Sequence, residues 1–167
     1  MKILAAALTV TACAMAGQLF AARMRARVAA LEAALHLLRE TQAQLRFLAL
    51  PAADLLAQLC RREALRPLPF LPRCQALTLE NIPFPQAWRQ ALDEEPGALQ
   101  PQDKAQLLFF GESIGATDID GQLSACALCA ELLEAQLQAA AQDCRKYGKL
   151  LPMLGLLGGA GIAILLY

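Results

Sequence analysis

Two charge-free stretches at the ends of this chain restrict its folding more than any motif does. Residues 3–22, ILAAALTVTACAMAGQLFAA, and residues 150–167, LLPMLGLLGGAGIAILLY, contain no Asp, Glu, Lys or Arg. At a rise of about 1.5 Å per residue, such stretches reach roughly 27 to 30 Å, close to the hydrocarbon thickness of a bilayer. Of the 30 charged residues only Lys2 lies outside 23–149, so that interval carries 29 charges in 127 residues. That density, about 23%, is ordinary for a soluble domain, although the whole chain is 57% hydrophobic. The expected organisation is a transmembrane helix at 1–22, a polar domain at 23–149 and a second transmembrane helix at 150–167.

Charge also predicts the orientation. Arg23, Arg25 and Arg27 follow the first segment directly, and Arg145, Lys146 and Lys149 precede the second. Both basic flanks then belong on the cytosolic side, which puts 23–149 in the cytosol and both termini across the membrane. Two other readings stay open. The first segment also fits a secretory signal, with "AMA" before Gly17 as a cleavage site or "VTAC" as a lipoprotein box, but the three arginines after it resist export. The second, with Pro152 and "GLLGGAG", could be a buried C-terminal helix, since its length is at the lower limit for a span.

The interval between is read as helical throughout. Val28, Leu31, Leu35, Leu38, Leu45 and Leu48 recur at steps of three, four or seven, which predicts an amphipathic helix continuous with the first segment and ending at Leu50 before Pro51. A second helix is expected at 52–65. Five prolines between 67 and 85 forbid long elements and predict short helices with tight connections. Residues 84–95, "FPQAWRQALDEE", make another, with Trp88 and Leu92 on one face and Pro96 and Gly97 ending it. The next opens at Pro101 with Asp103 in its first turn, and the last runs from near Asp118 through Leu123, Cys126, Leu133, Leu137 and Cys144. No alternating strand pattern appears. The fold class expected is all-α, a cytosolic antiparallel bundle flanked by the two membrane helices, its first and last helices antiparallel.

The stretch FFGESIGATDIDGQL, 109–123, looks most like a site, with Glu112, Asp118 and Asp120 close together. A calcium loop beginning at Asp118 needs a glutamate at its twelfth position, where Cys129 stands, so that reading fails. The same residues serve a helix corner: Gly115 can take a positive φ to close one helix, and Thr117 or Asp118 can cap the next. Cys126 and Cys129 form a C-x-x-C, but there is no second pair and His36 is the only histidine, so packed thiols are preferred over a zinc site. No nucleophile with a base, phosphate loop or histidine cluster is present, so no enzyme activity, cofactor or metal is expected. Formal net charge is zero, and no nucleic-acid partner is expected.

These residues also carry a resemblance. LLFFGESIGATDIDGQL is similar to an FGE-x-LG-x-x-D-x-x-x-Q segment of the stage III sporulation protein AB family, with Phe110, Gly111, Glu112, Gly115, Asp118 and Gln122 on the matching positions. The apolar ends, "QAWRQAL" at 86–92 and "YGKLLPMLGLLGGAGIAILL" at the close agree in order, and the likeness spans the whole chain. It implies a non-enzymatic scaffold or adaptor in the mother-cell membrane facing the forespore. The family is similar to inner-membrane platform proteins of type II secretion and type IV pilus machines, and the implied partner is a secretion-type ATPase, stage III sporulation protein AA. The short helices between 51 and 115, lying farthest from the bilayer, are the expected docking region, with Arg61, Arg62, Asp93, Glu94 and Glu95 as candidate contacts. The alternative is an exported, anchored helical sensor or chaperone-like protein.

Overall fold

The computed structural model describes the backbone of residues 2–47, 52–114, 116, 118–150, 152–154, 157–158 and 161, and their side chains other than those of 2–7, 9, 47 and 52–55. Every regular element among them is helical. Six α-helices follow in order: α1 Lys2–Phe47, α2 Ala52–Cys60, α3 Phe70–Leu79, α4 Phe84–Glu94, α5 Pro101–Ser113 and α6 Ile119–Tyr147. The chain divides into two compact units, one of Ala29–Gln138 and one of Met1–Val28 with Ala139–Tyr167.

In the larger unit α1 is the central helix. From Ala30 to Thr41 only Glu32 and Arg39 are exposed, because alanines and leucines at 30, 31, 33, 34, 35, 37 and 38 are buried around most of its circumference. Helix α2 runs antiparallel to it: Gln44 donates to Gln58 at 3.1 Å and Arg62 pairs with Glu40 at 3.5 Å, so the residue numbers rise on one helix as they fall on the other. The expected helix over 52–65 is interrupted. It stops at Cys60, Arg62 is extended, and Glu63–Leu65 form a separate 3₁₀ turn. Leu56 and Leu59 are buried, as are Leu65 and Leu68. At about 100° per residue a straight helix would set Leu65 roughly opposite Leu56; the break lets one core take both.

The proline-rich stretch forms two helices of 10 and 11 residues. Their prolines sit where helical N–H groups have no partner anyway: Pro72 is in the first turn of α3 and Pro85 in that of α4. Asn81 closes α3 in the left-handed region, φ 64°. Its N–H donates to Thr78 and that of Ile82 to Leu77, the two bonds of a Schellman ending, with asparagine taking the place glycine usually fills. Gly97, φ 61°, turns the chain after α4, pressed so closely to the Pro69 ring that a Cβ would stand 2.9 Å from Pro69 Cδ.

In the smaller unit α1 turns large apolar side chains outward. Gly17 and Ala21 are buried and Val10, Cys13, Ala14, Met24 and Val28 half-buried, while Leu8, Met15, Leu19 and Phe20 face outward at 57–67% exposure. Met153, Leu154 and Leu157 are exposed similarly. Among the described residues no helix is long and apolar enough to cross a membrane; the side chains of 2–7 and 9, and Leu151, Gly155, Leu156, Gly159, Ala160 and Ile162–Tyr167, lie outside them. The expected continuity of the first segment with the helix after it is present, since α1 runs unbroken through Arg23, Arg25 and Arg27 to Phe47, the last residue described there. The expected end at Leu50 falls outside the described residues, as does Leu48.

Candidate functional site

Two sequence segments, "QAWRQAL" at 86–92 on α4 and "LLFFGES" at 107–113 on α5, meet along one seam. Gly111 sits inside α5, where a glycine costs about 1 kcal/mol relative to alanine. The reason is the indole of Trp88. A Cβ on Gly111 would lie 2.1 Å from Trp88 Cδ1 and 2.4 Å from its Nε1, so only a bare backbone lets the ring in. The ring then reaches past Gly111, and its Nε1–H donates to the Leu107 carbonyl at 2.8 Å. That bond satisfies the one polar atom of a side chain that is 2% exposed. Phe70, Phe84 and Phe110 surround the ring with centroids 5.0, 5.4 and 5.6 Å away. The remaining gap beside it, bordered by Leu37, Leu56 and Ile114, is about 10 Å³, the space of one water.

On the solvent side the same seam is crossed by ion pairs. Arg89, next to Trp88, pairs with Glu112, next to Gly111. Asp93 pairs with Lys104. Together these contacts set α4 and α5 antiparallel. Glu112 therefore engages α4 and does not join Asp118 and Asp120. Among the described residues no group of three His, Cys, Asp or Glu side chains is placed to hold a metal ion.

The corner after α5 is built from backbone satisfaction. The helix ends at Ser113, whose hydroxyl donates to the Phe110 carbonyl at 2.7 Å, and Ile114 turns to an extended conformation. Asp118 caps α6, its Oδ1 accepting from the Gly121 N–H at 3.1 Å. Gln122 is buried, 8% exposed. Gly115 and Thr117 lie outside the described residues. At the other end of α5, Asp103 is fully buried and its Oδ2 accepts from the Gln100 N–H at 2.9 Å, the returning half of a capping box.

The C-x-x-C cysteines face the core. Cys126 and Cys129 are fully buried, and burial pushes their thiols up to about 12 and about 11. Cys129 Sγ donates to the Gln106 carbonyl at 3.4 Å. Cys74 is likewise buried, its thiol raised to about 12 by burial and, secondarily, by Cys60. Thiols held protonated in this way are poor nucleophiles and metal ligands.

The family model of stage III sporulation protein AB matches residues 2–167. The chain belongs to the stage III sporulation protein AB family. No curated protein and no solved structure matches it. Membership assigns the chain to sporulation and places its features in that setting.

The candidate docking residues of this family member are not equally free. Asp93 is held by Lys104, Glu94 by Arg73 at 2.6 Å and by Gln90 at 2.8 Å, and Arg62 by Glu40. The hydrogen bond from Arg73 holds the Glu94 carboxyl below its usual range. Arg61 and Glu95 are exposed and make no ion pair among the described residues. Of the membrane-flanking cations, Arg23, Arg25, Arg145, Lys146 and Lys149 are exposed and Arg27 is half-buried.

The seam was missed in the sequence because Trp88 is read there only as one member of a face with Leu92. The available signal was Gly111 itself: a glycine between Phe110 and Glu112, in a strong helical context, needs a close neighbour to explain it.

Proposed function

We propose that this chain is a non-enzymatic, membrane-anchored adaptor of the secretion-like channel complex between mother cell and forespore, and that its helical domain meets the ATPase stage III sporulation protein AA. The family match over residues 2–167 supports a sporulation role and carries the proposal. Membrane anchoring is supported by the large apolar side chains that α1 turns outward, Leu8, Met15, Leu19 and Phe20, next to the basic flank Arg23, Arg25 and Arg27. In this reading the domain lies in the mother-cell cytosol, and the short helices α2 to α5 are offered to the ATPase.

The test is a titration of the ATPase against the full chain in lipid nanodiscs at two salt concentrations. Reversing Arg61 and Arg62 to glutamate, or Asp93, Glu94 and Glu95 to lysine, should weaken binding, and added salt should weaken it further. Because the first set also breaks the pair of Arg62 with Glu40 and the second the pairs with Lys104 and Arg73, Glu95→Lys alone and Arg61→Glu alone serve as the variants that leave internal pairs untouched. Binding unchanged in all of them would remove this face from the contact. A parent chain that does not bind removes the adaptor reading.

A further inference from the structure

In the smaller unit the outward face of α1 carries a notch at the start of the basic flank. Ala16, Leu19, Phe20 and Arg23 line a hollow of about 150 Å³, and all four are exposed. Leu19 and Phe20 are consecutive, so they diverge by about 100° around the helix, and the same step sets Ala16 and Arg23 at angles between them. Leu19 and Phe20, 61% and 57% exposed, are therefore the two walls. The small side chain of Ala16 leaves the space between them open on the N-terminal side, and Arg23 stands at the other end.

The charge around the notch is of one sign. The unit formed by Met1–Val28 and Ala139–Tyr167 holds seven lysines and arginines and one acidic side chain, Asp143. Along α1 the nearest carboxylate is Glu32, more than two turns beyond Arg23. Arg23 makes no ion pair among the described residues. An unpaired guanidinium at the end of an apolar channel suits a ligand with two parts. One is an oxyanion, which a guanidinium holds through parallel N–H bonds, and the other is a hydrocarbon chain that takes leucine and phenylalanine out of water. Free phosphate would leave both walls wet, and a zwitterionic lipid already carries its own cation beside its phosphate.

We propose that this notch binds an anionic phospholipid, its headgroup phosphate on Arg23 and one acyl chain laid between Leu19 and Phe20 over Ala16. Basic side chains beside a membrane segment attract anionic headgroups in general; here the hollow assigns that attraction to one arginine and one path for the chain. The proposal rests on the membrane-anchored reading of α1.

The experiment places the full chain in nanodiscs of equal parts phosphatidylcholine and phosphatidylglycerol at physiological salt, where diffuse attraction is screened beyond about 8 Å. Native mass spectrometry of the chain released from them counts the lipids it retains. Phosphatidylglycerol should be retained about fivefold over phosphatidylcholine, the effect of one cation at an anionic headgroup. Arg23→Gln should remove the preference. Ala16→Leu, which fills the notch without altering charge, should at least halve it, with helical circular dichroism retained in both. Arg25→Gln should keep it, because Arg25 lies about 200° around the helix from Arg23. Equal retention of the two lipids by the parent overturns the proposal, and so does an equal loss with Arg23→Gln and Arg25→Gln, which would mean diffuse attraction. Displacement of the lipid by added inorganic phosphate would also overturn it. A chain that does not enter the nanodiscs removes the anchored reading and this proposal together, whereas a chain that enters them without lipid preference removes this proposal alone.

Discussion

Replacing Gly111 with alanine tests the seam between α4 and α5 because two opposing effects are of known sign. On helix propensity alone the change stabilises, by about 1 kcal/mol. The structure reverses this. The new Cβ would lie 2.1 Å from Trp88 Cδ1, and ordinary contact begins near 3.4 Å, so the indole must retreat by over an ångström. Its bond to the Leu107 carbonyl, 2.8 Å long, is lost in that retreat. A buried N–H left without a partner costs about 1 to 3 kcal/mol. Overpacking adds a further cost of about 1 to 3 kcal/mol. Subtracting the propensity gain leaves a net loss of about 1 to 5 kcal/mol. The assay is urea unfolding of the full chain in nanodiscs, followed by far-ultraviolet circular dichroism and by the fluorescence of Trp88, the only tryptophan. In a Trp88→Ala background the same Gly111→Ala change should be neutral or stabilising, because the three atoms nearest the methyl group all belong to the indole. Stabilisation by Gly111→Ala in the parent, or an equal effect in both backgrounds, would refute the close-packed seam.

Other predictions follow from separate contacts. Asp118→Ala removes the cap of α6 and should cost about 0.5 to 2 kcal/mol in the same unfolding assay, with Asp118→Asn retaining most of it. Burial raises the thiols of Cys126 and Cys129 from an ordinary 9.0 to about 12 and about 11, so the unfolded chain loses those protons first. Their contribution to stability is therefore complete below pH 9 and is lost as pH rises through the folded values; urea midpoints measured from pH 8 to 11 should fall, and fall less in a Cys126→Ala, Cys129→Ala chain compared with its own midpoint at pH 8. The exposed pairs Arg89–Glu112 and Lys104–Asp93 should contribute no more than about 1 kcal/mol each, shrinking with salt, as double-mutant cycles at low and high ionic strength will read. For topology, a cysteine added after Tyr167 should be labelled by an impermeant reagent from outside the mother cell, and Gln138→Cys only once the membrane is opened.

The helical class was legible because it depends on local rules that the chain states plainly. The steps of three and four through Leu31, Leu35 and Leu38, and the prolines at the starts of α3, α4 and α5, need no knowledge of neighbours. What was not legible depends on neighbours. The break at Arg61 and Arg62 follows from Leu56 and Leu65 sharing one core, which spacing within a single helix cannot reveal. The pairing of Trp88 with Gly111, and of Arg89 with Glu112, joins segments whose contact is set by the packing of α4 on α5. In the same way Asp93 and Glu94 read as free surface charges until Lys104 and Arg73 are seen beside them. Asp118 was legible as a cap because its partner, the Gly121 N–H, is three residues away.

The adaptor claim is tested most directly by where the ATPase goes in a sporulating cell. Fluorescently tagged stage III sporulation protein AA should gather at the mother-cell membrane facing the forespore when this chain is present, and should become diffuse in the mother-cell cytosol when the chain is deleted. Restoring the chain should restore the membrane signal, and restoring a version with Arg61→Glu and Glu95→Lys should do so only weakly. An ATPase that stays at the membrane in the deletion strain, at the same intensity and position, would contradict the account.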